Sequence, residues 1–146
     1  MKALSIKQPW AWLICAGIKD IENRDWFIGR KPALGGYFKD RVIELPQRIY
    51  VHAGKTPEKY TEELIQYLGE RGVAVISTLM LYSDQIARGA IIGEVTITDC
   101  VTKSDSRWFV GKYGFVLTEP ELYDKPIPYR GQLGFFEVTL PKQEGE

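Results

Sequence analysis

The sequence predicts an α+β fold: a small, partly closed mixed β-barrel of about six strands with two or three flanking helices. Three observations point there. Short stretches of alternating apolar and polar residues, each of strand length, recur along the chain. They do not alternate regularly with helical patterns, which argues against a doubly wound parallel sheet. The 146 residues suffice for one sizeable core, so a single domain over residues 1–146 is expected.

The first strand is ALSIK, with Leu4 and Ile6 on one face and Ser5 and Lys7 on the other. QPWAWLICAG then reads as a mostly buried helix. Pro9 suits its first position and Gly17 the residue just past its end. IENRDW reads as a strand whose period of two places Glu22, Arg24 and Trp26 on one face and Ile21 on the other. GRKPALGGYFKDRVIELPQ has turn residues and charge but no clean period, and reads as a long irregular excursion.

RIYVHA is the next strand, with Ile49, Val51 and Ala53 facing one way and Tyr50 and His52 the other. Thr56-Pro57 is expected to open the clearest helix, Thr56 as its cap and Pro57 at its first position. Tyr60, Leu64 and Leu68 form its apolar stripe, and Gly72 follows its end. STLMLYSDQIARG reads as a shorter helix with Leu79, Tyr82 and Ile86 inward. AIIGEVTITDCV is the longest strand signal, with Val95, Ile97 and Val101 opposite Glu94, Thr96 and Thr98. YGFVL and GFFEVTL are two more strands. The three prolines of EPELYDKPIPYRGQLG predict an extended, turn-rich connection between them. KQEGE reads as a frayed tail.

The formal net charge is zero. A protein that coats long nucleic acid usually carries a basic excess, so any nucleic-acid footprint here is a pocket or a short groove. Cys15 and Cys100 are the only cysteines. They supply no disulfide framework and no zinc-binding pair, and both fall in apolar stretches that predict buried thiols. No secretory leader, spanning apolar run or lipidation motif stands out. A cytoplasmic, monomeric protein without membrane attachment is expected. GxSxG, HExxH, Walker A and GxGxxG motifs are missing, and neither a metal nor an organic cofactor is expected.

Function is most visible in GIKDIENRDW, residues 17–26. Lys19, Glu22 and Arg24 sit there among apolar residues. Three readings stay open for them: a solvated ion-pair set, the lining of a pocket for an anionic or polar ligand, or acid–base chemistry. Their surroundings favour the pocket. Lys7 and Gln8 end one strand just before the first helix, Trp10, Trp12 and Trp26 bracket the stretch, and His52 ends another strand near Lys55. Aromatic faces stack on bases, amides and charges read base edges, and cations hold phosphate. The candidate ligand-binding set is Lys7, Gln8, Trp10, Lys19, Glu22, Arg24, Trp26 and His52. A catalytic alternative uses Lys19 as a base of lowered pKa with Glu22, and a hydroxyl such as Ser5 or Thr96.

ALSIKQPWAWLICAGIKDIENR resembles the opening of ASCH domains (activating signal cointegrator homology), a branch of the PUA-like superfamily. The family signature G-x-K-x-x-E-x-R is matched by Gly17, Lys19, Glu22 and Arg24. IYVHAGK, GAIIGEVTITDC and PIPYRGQLGFFEV resemble later family strands in the same order. The resemblance implies a PUA-like barrel with a cleft between barrel and first helix, faced by the Lys, Glu and Arg of the signature. It implies RNA, modified-nucleoside or nucleotide binding. It also implies an enzyme alternative: some members are metal-free amidohydrolases on acetylated cytidine that use a lysine and a threonine of this motif, and ribonuclease activity occurs in the superfamily. Lys19 matches that lysine. The threonine place is held by Glu22, and a carboxylate does not simply replace a hydroxyl nucleophile.

Overall fold

The computed structural model describes residues 1–29, 39–74 and 87–140. Six strands form one sheet: β1 (Lys2–Ile6), β2 (Ile21–Arg24), β3 (Gln47–Ala53), β4 (Ala90–Val101), β5 (Tyr113–Pro128) and β6 (Phe135–Glu137). Two α-helices, α1 (Trp10–Cys15) and α2 (Glu62–Glu70), and a 3₁₀ turn at Lys39–Arg41 complete the described elements. The strand order is β2-β5-β4-β3-β1-β6. Only β1 and β3 run parallel; the other neighbours are antiparallel. The expected α+β fold is therefore present.

The sheet curls into a half-barrel. Phe115 lies on β5, next to one edge strand, and Phe135 lies on β6, the opposite edge. Their rings nevertheless stack 6.0 Å apart. Trp26, just past β2, touches both edge-on, at 5.2 and 5.7 Å. Such contacts between rings from opposite ends of the strand order require the sheet to wrap around them. Leu4, Ile6, Ile49, Val51, Val95 and Ile97 fill the interior with them. Burying such side chains is worth about 1.5–3 kcal/mol each, which drives the closure.

Helix α1 plugs this interior with Ala11, Ile14 and Cys15. On its other side Leu13 joins Ile21, Leu68, Val73 and Trp108 in a second cluster. Both cysteines are buried free thiols, and burial pushes the Cys15 thiol up to about 12. Pro9 caps α1 rather than filling its first turn, and Gly17 follows the Ala16 C-cap at φ +81°. Helix α2 packs Leu68 into the second cluster, with Tyr60 and Leu64 at its margin.

Three local expectations are corrected. Helix α2 starts at Thr61, not Thr56: the Thr61 hydroxyl accepts from the Leu64 amide at 3.2 Å, and Glu62 and Glu63 follow where the helix dipole favours acid. EPELYDKPIP is strand, because β5 runs unbroken to Pro128. The prolines are tolerated since β2 pairs only with residues 113–116 of β5, leaving the rest of that edge without a described strand partner. Glu119 at φ +52° precedes Pro120, where the β4–β5 register slips. A second slip, between Ile97 and Asp99, turns Cys100 into the core in place of Val101. The helix expected around Leu79, Tyr82 and Ile86, residues 30–38 of the irregular excursion, and the KQEGE tail lie outside the described residues. Among those residues no helix is long and apolar enough to cross a membrane.

Candidate functional site

A cleft of about 830 Å³ opens between the rim of the sheet, α1 and α2. Its polar floor is built by the end of α1. Gly17, in the left-handed conformation only glycine adopts at little cost, lets the chain fold back. The Gly17 amide donates to Ile14 O at 3.1 Å, and the Ile18 and Lys19 amides both donate to Leu13 O, at 2.9 and 3.0 Å. This turn delivers Lys19 against the cleft immediately before β2. Pairing of β2 with β5 then sets Glu22 opposite Phe115 and Arg24 opposite Tyr113. The two-residue period brings Glu22 and Arg24 to one face, as the sequence predicts.

The three charges form one linked set. Glu22 Oε1 lies 3.8 Å from Lys19 Nζ. Glu22 Oε2 accepts from Arg24 Nε at 2.9 Å and pairs with Nη2 at 2.8 Å. Arg24 Nη2 also donates to the Ser5 carbonyl at 2.8 Å, tying β2 to the end of β1. Lys19 Nζ donates to the Ile21 carbonyl and lies 5.6 Å from the Trp10 ring centroid. Lys19 is only 4% exposed and Glu22 6%. Burial lowers the Lys19 pKa from the usual lysine value; Glu22 and Asp20 oppose that shift, and Arg24 adds to it. Desolvation thus outweighs the ion pair, and Lys19 loses its proton more readily than a surface lysine.

Around this floor stand aromatic and mixed walls. Trp10 meets Tyr67 of α2 edge-on at 6.0 Å, and Tyr67 meets Trp108 at 6.2 Å. Val110 and Leu133 form an apolar lip; Leu133 is 87% exposed. Lys7 reaches the rim and faces Glu58 at 3.9 Å. Among the described residues no group of His, Cys, Asp and Glu is arranged to hold a metal ion.

Of the eight candidate residues, Lys7, Trp10, Lys19, Glu22 and Arg24 line the cleft. Gln8, Trp26 and His52 do not. Gln8 is buried beneath α1, accepting from the Trp12 amide at 2.9 Å and donating to the Ala87 carbonyl at 3.0 Å. Trp26 fills the half-barrel, because β2 ends at Arg24 and the chain turns before the alternation reaches it. His52 is 2% exposed. Its Nδ1 lies 3.0 Å from Ser5 Oγ, and its Nε2 lies 2.7 Å from the Tyr129 carbonyl. That carbonyl can only accept, so Nε2 carries the proton and the Ser5 hydroxyl donates to Nδ1. His52 thereby anchors the segment leading to Gln132, Leu133 and Gly134 on the cleft wall. Of the two hydroxyls considered as nucleophiles, Ser5 belongs to a cleft-lining residue, whereas Thr96 accepts from Arg48 Nη1 at 3.1 Å and does not line the cleft.

Sequence reasoning missed Glu58, Glu63, Tyr67 and Leu133. Tyr67 was findable: it lies three residues after Leu64, beside the apolar stripe of α2. The others meet the cleft only through tertiary packing.

The chain matches the ASCH domain family over residues 4–131. No curated protein matches it in sequence. Among solved structures, that of ASCH from Zymomonas mobilis superposes with a TM-score of 0.47 at 14% identity, covering 94% of this chain and 87% of that one.

Proposed function

From the premise that the chain belongs to the ASCH domain family, we propose that its cleft binds RNA, or a modified nucleoside or nucleotide, through the Lys19–Glu22–Arg24 set. The carrying observation is that set itself. A buried lysine and carboxylate and a half-buried arginine are held together on the floor of an open cleft, beside the Trp10 ring. Holding charge there costs solvation free energy. A polar ligand that hydrogen-bonds to the set offsets the cost, and the rings of Trp10 and Tyr67 supply faces for a base. The cleft-lining charges include Glu22, Glu58 and Glu63 beside Lys7, Lys19 and Arg24. That balance suits one or a few nucleotides rather than a long polyanion, in keeping with the zero net charge.

Fluorescence titration with short single-stranded RNAs and with modified nucleosides tests the reading, Trp10 serving as reporter. Arg24→Gln should weaken binding about thirtyfold, or ~2 kcal/mol, through loss of charge-assisted hydrogen bonds. A wild-type protein that responds to none of these ligands defeats the reading.

One observation favours a second reading, a metal-free hydrolase acting in the same cleft: burial lowers the Lys19 pKa toward the range of a general base. Glu22 cannot serve as the hydroxyl nucleophile, so the attacking group would be Ser5 or a water. Incubation with acetylated cytidine and with RNA, in the presence of a chelator, separates the readings by product mass. The binding reading expects no turnover. Turnover that survives chelator and falls by about 10²–10⁴-fold in Lys19→Ala establishes the hydrolase instead.

A further inference from the structure

Beyond Tyr67 lies a second depression of about 400 Å³, lined by Ile18, Asp20, Arg71, Ser106, Arg107 and Trp108. Its two arginines hold each other in place. Arg71 Nε donates to the Arg107 carbonyl at 2.8 Å, and Arg107 Nη1 donates to the Arg71 carbonyl at 3.2 Å. Arg71 Nη1 donates further to the Tyr67 carbonyl at 3.0 Å. The Arg71 guanidinium also lies over the Tyr67 ring, its Cζ 3.4 Å from the centroid, and 5.9 Å from that of Trp108.

These contacts leave donors unused. Arg71 Nη2, and Nε and Nη2 of Arg107, make no hydrogen bond among the described residues. The acids nearby do not claim them. Asp20 accepts from the Ser106 hydroxyl at 2.5 Å, and Glu70, 60% exposed, stays 3.9 Å from Arg71 Nη1. Two guanidiniums already fixed by main-chain carbonyls lose little further freedom on binding. The Nε–Nη2 edge of Arg107 suits two oxygens of a phosphate, and Arg71 adds its Nη2. Tyr67 connects the two depressions: it lines the cleft, and its ring carries Arg71, which lines the second one.

We propose that Arg71 and Arg107 form a phosphate subsite for single-stranded RNA, taking a backbone phosphate of the strand whose base occupies the main cleft. The inference rests on the binding reading above and extends it to the ligand's size: more than one nucleotide is engaged.

The test compares a nucleoside monophosphate with a single-stranded tetranucleotide of the same base, on wild type and on Arg107→Gln. Arg107 is exposed, and its carbonyl, which accepts from Arg71, survives substitution of the side chain, so its replacement spares the core. Wild type should bind the tetranucleotide about tenfold or more tightly than the monophosphate, the worth of one charge-assisted contact. Arg107→Gln should remove most of that gain, leave the monophosphate affinity unchanged, and reduce the logarithmic salt slope by about 0.7. Arg107→Lys, which keeps the charge, should keep the slope. Inorganic phosphate should compete only weakly, because it gains nothing from the cleft. Equal wild-type affinity for the two ligands, or a tetranucleotide affinity indifferent to Arg107→Gln, overturns the subsite while leaving the cleft as a mononucleotide site. Phosphate alone displacing the tetranucleotide at similar concentration also overturns it, marking a free-anion site. A wild type that binds neither nucleotide ligand removes the binding reading and the subsite together.

Discussion

Glu22→Ala should destabilise the protein by about 3–5 kcal/mol, the range for removing one partner of a buried ion pair. That is a large share of the roughly 5–15 kcal/mol by which natural domains are stable. Among the described residues Glu22 is the only acid in ion-pair distance of both Lys19 and Arg24. Without it Arg24 keeps the Ser5 carbonyl, but Lys19, at 4% exposure, is left with the Ile21 carbonyl, the Trp10 ring face and the weaker influence of Asp20. The loss should also depend on pH. Burial already sets the folded Lys19 pKa below the ordinary 10.5, and Glu22 is the largest influence raising it. Removing Glu22 therefore lowers it further. Between that depressed folded value and 10.5 the unfolded chain binds more protons than the folded one, so stability rises with pH across the window. Below the folded value the full cost of the buried cation remains. Urea unfolding of Glu22→Ala at neutral pH and near pH 10 should show the variant regaining part of its deficit. A variant as stable as wild type at neutral pH would show that the set is not the buried, mutually dependent cluster described.

Gly93→Ala should cost about 3 kcal/mol or more, the upper part of the range for overpacking a core. A Cβ at Gly93 would lie 2.1 Å from the Glu121 carbonyl oxygen and 2.8 Å from Cys15 Sγ. The first obstacle is backbone on the paired strand β5 and cannot swing aside; the second is the last residue of α1. Relief requires moving either a strand or the helix. Because α1 carries Trp10 and delivers Lys19, ligand affinity should fall along with stability. Thermal unfolding with parallel ligand titration measures both. Unchanged values would mean that β4, β5 and α1 do not meet so closely at Gly93.

Much of the site's floor was legible in the sequence, for identifiable reasons. A two-residue period and a glycine after a helix are local signals, and they place Lys19, Glu22 and Arg24 together without knowledge of the fold. Trp26 shows where that logic fails: alternation extended past Arg24 assigns it to the cleft, but the strand has already ended and the ring fills the half-barrel. His52 and Gln8 fail differently. Both are polar, so the sequence suggests both for a ligand, yet each finds its partners inside the protein. Composition does not reveal that a polar group is already satisfied. The start of α2 is read from the sequence at Thr56-Pro57, whereas the acidic pair after Thr61 marks the cap that the helix uses. The long β5 was hidden by its prolines, because the missing neighbour on most of one edge is a property of the sheet and not of the segment.

The strand order has a consequence for how the molecule is made. Of the described strands β1 comes off the ribosome first, yet its two neighbours are β3 and β6, and β6 is the last of them to be synthesised. The segment from Gln132 to Gly134, one wall of the cleft, is made just before it. During translation the early helix and its charged turn must therefore wait, with Lys19 and Glu22 still hydrated, until nearly all of the described chain has emerged. Pairings so distant in sequence are reached slowly. For that interval the apolar face of α1 and the open edges of the first strands are exposed to other chains, which makes the nascent protein a candidate for chaperone protection.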